Sequence, residues 1–398
     1  MLLAAALLLA AVPQFPIPEP SPEDLRRSNY HRVTSKASPA PEPGAENTPL
    51  ISPLVKPDGT RVRDAREWFD TRRPELLKQW IQILGKVAPA PEDARWFGDV
   101  RQAVEAGRRE MDGYTRIDLD IPLERDFYQR HLLLIPKGQG PGPFPAVIAW
   151  ASSTPDYREP EAWWGAWLAR RGYVVLTSWS FIRNYREGTR LKQATELVYA
   201  RYGHWLGLGK MVHDVAREIE YLRSLPQVDA SRIGFIGFSL GAKAAVYAAA
   251  FNPDVKVTVA VDPHIALNGG TNWYAPWYLD WTRAFGGKTI QSLLDADPRR
   301  PGFEHDHHEL LALTAPRAFL LIGGSRSEDA GGDSDDLESW AYVNKAKEVY
   351  TLLGVPERLQ YCSTSQGHAA TGEQIDPAWQ SFFEYFLKQH PIELPLQK

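Results

Sequence analysis

The chain reads as α/β, with a doubly wound, mostly parallel sheet of eight strands and helices on both faces. Three observations predict it. Apolar runs of strand length recur between about residues 114 and 365. In the later part of the chain these runs alternate with helical patterns, the rhythm of a parallel sheet built from βαβ units. Finally, RIGFIGFSLGAKAAVYAAAF (Arg232 to Phe251) sets a buried strand, a glycine-flanked turn and a small-residue helix in immediate succession.

Each element follows in order. Residues 1–12, MLLAAALLLAAV, are apolar but too short to span a bilayer, and residues 13–60 are rich in proline with little periodic pattern. Together they read as an export signal and a linker or extended arm, so the protein is expected outside the cytoplasm, in the periplasm or beyond the cell. Residues 61–398 form the domain. Its first part, 61–112, is expected to be helical, because Arg66 to Val87 places Phe69, Leu76, Leu77, Trp80, Ile81 and Leu84 on one side of a helix. Strands are read at YTRIDLDI, QRHLLLIP, PAVIAW, YVVLTSW, RIGFIGF, VKVTVAV, RAFLLIG and RLQYCST. Val212, Val215, Ile219 and Leu222 give a helix over Lys210 to Leu225, before the glycine-flanked turn. Further helices are expected from near Leu337 and over Pro377 to Gln389.

The turn GFSLG carries the chemistry. A serine at the apex of a sharp strand-to-helix turn needs almost no side chain two residues before and two after it, and Gly237 and Gly241 flank Ser239 in that way. The alanines that follow let the helix pack closely and aim its N-terminal N–H groups at a reacting carbonyl. A serine nucleophile needs a base, and His368 lies in the loop after the last strand, where an imidazole could take the serine proton and return it to the leaving group. The acid that orients the base is expected a few residues past PRAFLLIGG, in SRSEDAGGDSDD, and Asp329 is preferred. Asp333, Asp335 and Asp336 are rivals that could instead cap the next helix. Asp262, at the end of VKVTVAVD, is a further rival. For the oxyanion hole, Leu240 offers the backbone N–H after the nucleophile, and Ser152 in the turn after PAVIAW is the expected second donor.

Residues 263–312 read as a cap-like insertion over the site. It carries His264, Trp273, Tyr274, Trp277, Tyr278 and Trp281, and aromatic faces there could stack on sugar rings or line an acyl pocket, or simply pack a core. His264, Trp273, Trp277 and His308 are taken as substrate-binding candidates. The HDHHE run (His305 to Glu309) lacks the helical spacing of a zinc motif, so no metal is assigned, and His308 is read as lining the pocket or capping the next helix.

Composition bounds the partners. A formal net charge of −4 provides no basic field for nucleic acid or an anionic membrane. The single cysteine, Cys362, excludes an intrachain disulfide and reads as a buried thiol. The 14 tryptophans incline the reading toward a carbohydrate substrate. No cofactor is implied.

With these residues in view, the chain from about Tyr114 to Leu387 resembles the α/β-hydrolase superfamily. HELLALTAPRAFLLIGG and VYTLLGVPERLQY resemble the bacterial dienelactone hydrolase and acetyl xylan esterase group, and the turn is partly similar to that of glucuronoyl esterases. The resemblance implies a serine esterase that forms an acyl-enzyme, acetyl xylan esterase-like, and it brings Lys243 into the substrate-binding candidates. Glucuronoyl esterases carry Gly-x-Ser-Arg-x-Gly-Lys. Here GFSLGAK keeps the lysine, but places Leu240 where the arginine stands and Ala242 where the glycine stands. A serine peptidase of the prolyl-oligopeptidase type and an inactive, glycan-binding α/β-hydrolase fold are the alternatives.

Overall fold

The computed structural model describes residues 50–391, apart from 126, 154–155, 185–191, 266–272, 274–276, 280–304 and 325–337. The expected signal at residues 1–12, most of the proline-rich tract and most of the expected cap-like insertion lie outside the described residues.

Nine strands form one sheet: β1 Val104–Met111, β2 Tyr114–Glu124, β3 Phe127–Pro136, β4 Phe144–Trp150, β5 Val174–Ser178, β6 Val228–Phe238, β7 Val255–Val261, β8 Ala318–Gly324 and β9 Leu359–Thr364. Their spatial order is β1-β2-β3-β5-β4-β6-β7-β8-β9. The first four in this order pair antiparallel, and from β5 to β9 every pairing is parallel. The eight expected strands are all present. The ninth, β1, falls in the segment expected to be helical, and it escapes a reading based on apolar period because VEAGRREM is polar and almost wholly exposed. Its backbone pairs with β2, while Arg108 and Glu105 hold each other on the surface at 2.7 Å. Charge of this kind on an outer strand discourages pairing with another chain.

The parallel half has helices on both faces, so its central strands are buried with little alternation. In β6 all six residues from Ile233 to Phe238 are buried, as is every residue of β8. The helix Leu240–Phe251 is buried from Leu240 through Ala250. It runs beneath the helix Gly207–Ser224, which begins three residues before the expected Lys210. Its six alanines favour that depth, since small side chains allow a helix axis close to its neighbours.

On the outer side lies the N-terminal helix: a first turn at Ala65–Glu67, a π-helical turn at Trp68–Arg72 and an α-helix over Arg73–Leu84. Trp68, Leu76, Trp80 and Leu84 are fully buried, each worth roughly 2 kcal/mol of removed apolar surface. Trp80 packs edge-on against Tyr247 of the buried helix, with ring centroids 5.9 Å apart, and its indole N–H donates to Glu309 at 2.8 Å. The strand-like stretch before this helix is also tied down. Ser52 donates to Glu348 at 2.6 Å, and Arg61 pairs with the same carboxylate.

Candidate active site

Three parallel strands deliver the site to one edge of the sheet. After β6, Ser239 takes φ 54° and ψ −108°, a backbone conformation that a side chain adopts only under constraint. The constraint is visible on both sides. The Ser239 N–H donates to the Val261 carbonyl at 3.0 Å, and its own carbonyl accepts the Lys243 N–H at 2.9 Å. A Cβ on Gly237 would stand 2.2 Å from the backbone of Gly241, and one on Gly241 would stand 2.5 Å from the Trp150 carbonyl oxygen. Both glycines are therefore required by close approach of backbone to backbone.

His368 arrives from the loop after β9. Its Nδ1 hydrogen-bonds the Asp262 carboxylate. Its ring lies 4.6 Å from that of Phe238, the residue preceding the serine. Asp262 is 1 % exposed and follows β7 directly, with its N–H donating to the Ile322 carbonyl of β8 at 2.7 Å. Among the described residues the partner of the histidine is thus Asp262, the rival from the earlier strand. Asp329, Asp333, Asp335 and Asp336 lie outside the described residues. Distance past a strand was the only sequence cue, and β7 and β8 both end at this edge, so the cue could not separate them. Asp262 also has φ 56°, a mark that sequence does not carry.

The loop bearing His368 crosses the end of β8 where a side chain could not be. A Cβ on Gly324 would lie 1.9 Å from the Gly367 carbonyl oxygen. The loop is braced by residues that no motif flagged. Gln374 accepts from the Ser365 N–H at 2.7 Å, Gln366 accepts from the Gln374 N–H at 2.8 Å, and the Trp164 indole donates to the Ala370 carbonyl at 3.1 Å.

Ser152 is buried in the turn after β4. The N–H of its neighbour Ala151 is already committed to the Ser178 carbonyl at 2.9 Å. Carbonyls of Trp150 and Ala151 press on Gly241, which sets this turn beside the first turn of the helix that Leu240 opens. Trp150 is fixed from behind by its indole bond to Glu218 at 2.8 Å, and Glu218 also meets His131 at 3.0 Å.

Several residues expected to bind substrate are placed elsewhere. Lys243 is 1 % exposed and donates to the Pro263 carbonyl at 2.5 Å, with its ammonium 4.0 Å from the centre of the Trp273 ring. Trp273 is fully buried, and its indole N–H donates to the His264 carbonyl. Both hold up the Asp262–His264 loop and present no surface to a ligand. The reason is helical geometry: Lys243 is one turn past Ser239 on the inner face of a buried helix. His308 is directed away from the site, with Nε2 donating to the Ile51 carbonyl at 2.7 Å. The helix cap is instead Asp306, which accepts from the His307 N–H at 2.6 Å. Of the other HDHHE histidines, His305 bonds Glu309 at 2.9 Å. His307 donates through Nδ1 to the Ile265 carbonyl and accepts the Tyr247 hydroxyl, and burial pushes its pKa down to about 3. The three thus diverge to different partners. His264 does face the site, with its ring 5.2 Å from that of His368. Trp277 is half-buried beside Tyr278, and its carbonyl packs on Gly207.

A serine on a strained strand-to-helix turn, an Asp–His pair beside it and a mostly parallel sheet in this order define an α/β-hydrolase fold. Residues 137–271, from the end of β3 past the Asp262 loop, match the dienelactone hydrolase family. Among curated proteins, the chain is 25 % identical to 4-O-methyl-glucuronoyl methylesterase 1 of Wolfiporia cocos, across 96 % of this chain and 90 % of that one. Among solved structures, a glucuronoyl esterase from Solibacter usitatus superposes with a TM-score of 0.63 at 17 % identity, covering 84 % of this chain and 96 % of the other. A glucuronoyl esterase from Teredinibacter turnerae gives a TM-score of 0.63 at 18 % identity, covering 91 % and 98 %.

Proposed function

We propose that the protein is a serine esterase of carbohydrate esters, and that its substrate is an ester of a glucuronate with an alcohol. The Asp262–His368 pair beside Ser239 carries the mechanism. His368 takes the Ser239 proton as Oγ attacks the ester carbonyl, and the oxyanion is held by the N–H groups of Leu240 and Ser152. The alkoxide leaves with the proton from His368 as the acyl-enzyme forms. Water then attacks the acyl-enzyme with His368 again as base, releasing the acid and restoring Ser239. Asp262, buried, holds the imidazole in the tautomer that faces the serine and stabilises the imidazolium.

The names of the relatives support the glucuronate half of this reading, in place of the xylan acetate expected from sequence. One observation favours the acetate: Leu240 replaces the arginine of the glucuronoyl esterase signature, which removes a cation from the oxyanion side. Export through residues 1–12 belongs to the same reading, because a polysaccharide ester lies outside the cell.

The test compares wild type with Ser239→Ala on a glucuronate methyl ester, acetylated xylan and p-nitrophenyl acetate. The expected result is a preference for the glucuronate ester and a loss on the order of 10^4 or more in kcat for the variant. Activity that survives in Ser239→Ala would place the nucleophile elsewhere. A preference for acetylated xylan would move the substrate to the acetate.

A further inference from the structure

His264 has no step in the proposed mechanism, yet it is built into the site. The segment Asp262-Pro263-His264 is bounded by two non-glycine residues at φ 56°. Two such residues around a proline break the extended run of β7, which brings the side chains at 262 and 264 closer than the roughly 7 Å between alternate residues of a strand. Each carbonyl that follows is anchored from below: Pro263 by the Lys243 ammonium at 2.5 Å, His264 by the Trp273 indole. One donor atom from each of Asp262, His264 and His368 comes within 4.8 Å of the other two. Asp262 and His264 are nearly enclosed, while His368 is exposed and leaves a path from solvent.

We propose that Asp262, His264 and His368 form a site for a borderline divalent ion, Zn²⁺ above all, whose occupation reversibly switches off hydrolysis. Two imidazoles and a carboxylate are a donor set that zinc accepts in tetrahedral geometry, with the fourth position left to water. Zinc bonds of about 2.1 Å set donor atoms about 3.4 Å from one another, so no pair has to close by much more than an ångström, while Nδ1 of His368 and Asp262, already hydrogen-bonded, would part slightly if both ligate. The anchored carbonyls do the work of an outer shell, fixing the ligand-bearing backbone before the ion arrives. Whichever nitrogen of His368 the ion takes, the base is lost. At Nδ1 the ion replaces the bond to Asp262, and at Nε2 it occupies the lone pair that would receive the serine proton.

The switching part rests on the proposed esterase reading, whereas the binding part does not. Binding is therefore measured on untagged Ser239→Ala, which keeps all three donors, by calorimetric titration with zinc chloride. One ion per chain in the micromolar range is expected. The affinity should fall at least tenfold in both His264→Ala and His368→Gln in that background and stay unchanged in His305→Ala, with melting curves confirming that each chain is folded. In the wild type, zinc should inhibit ester hydrolysis over the same concentration range, and chelation should restore it. Absence of binding, or affinity indifferent to position 264, overturns the site. Hydrolysis that rises with zinc overturns the switch. His264-dependent binding in a wild type that cleaves no ester would uphold the site and sink the proposed function instead.

Discussion

Replacing Asp262 by asparagine keeps the shape of the side chain and removes its charge. His368 is 30 % exposed at its side chain and Asp262 only 2 %, so the pair sits where an effective dielectric of about 20 applies. At a charge separation of about 4 Å, the carboxylate then stabilises the imidazolium by about 4 kcal/mol, which is about 10^3 in rate. Loss of tautomer control adds to this, since the amide can turn its NH2 group toward Nδ1, and the triad logic puts the whole change nearer 10^4. The assay is kcat/KM on p-nitrophenyl acetate and a glucuronate methyl ester for wild type, Asp262→Asn and Asp329→Asn, with melting temperatures to confirm folding. Asp262→Asn should lose 10^3 to 10^4 and Asp329→Asn, whose carboxylate the proposed mechanism does not use, less than about threefold. If Asp262→Asn stays within tenfold of wild type, the Asp–His geometry is not what activates the serine. If Asp329→Asn suffers the large loss, the acid comes from the loop after β8.

Other outcomes follow from close packing and burial. Gly324→Ala would put a methyl 1.9 Å from the Gly367 carbonyl oxygen, so the His368 loop must shift, and kcat should drop on the order of 10^2 while the protein melts cooperatively a few degrees lower. Steady-state kinetics beside calorimetry separates that from general unfolding, which would take both away together. Cys362 is buried and its thiol is pushed up to about 11. The folded protein at pH 8 therefore holds it as an unreactive thiol, and iodoacetamide should label it only after denaturation, as read by mass spectrometry. Rapid labelling of the native protein would show that β9 opens.

The sequence by itself determined the elements of the parallel half and the identity of the turn. Strands β4 to β8 are legible because a strand covered on both faces is largely apolar, and the turn because Gly237 lies against the Gly241 backbone and Gly241 against the Trp150 and Ala151 carbonyls. The ladder of β1 was illegible for the opposite reason, since a polar outer strand is specified by backbone pairing and leaves no apolar period. Tertiary structure alone decided the partner of His368. Two strands end at the same sheet edge, each followed by carboxylates, and among the described residues the left-handed backbone at Asp262, held by the bonds of Lys243 and Trp273 to the carbonyls after it, directs a carboxylate at the imidazole. It also decided the fate of Lys243, Trp273 and His308. Residue type marks these as fit to bind a ligand, but direction is set by the helix or loop that carries them, and here it turns all three inward.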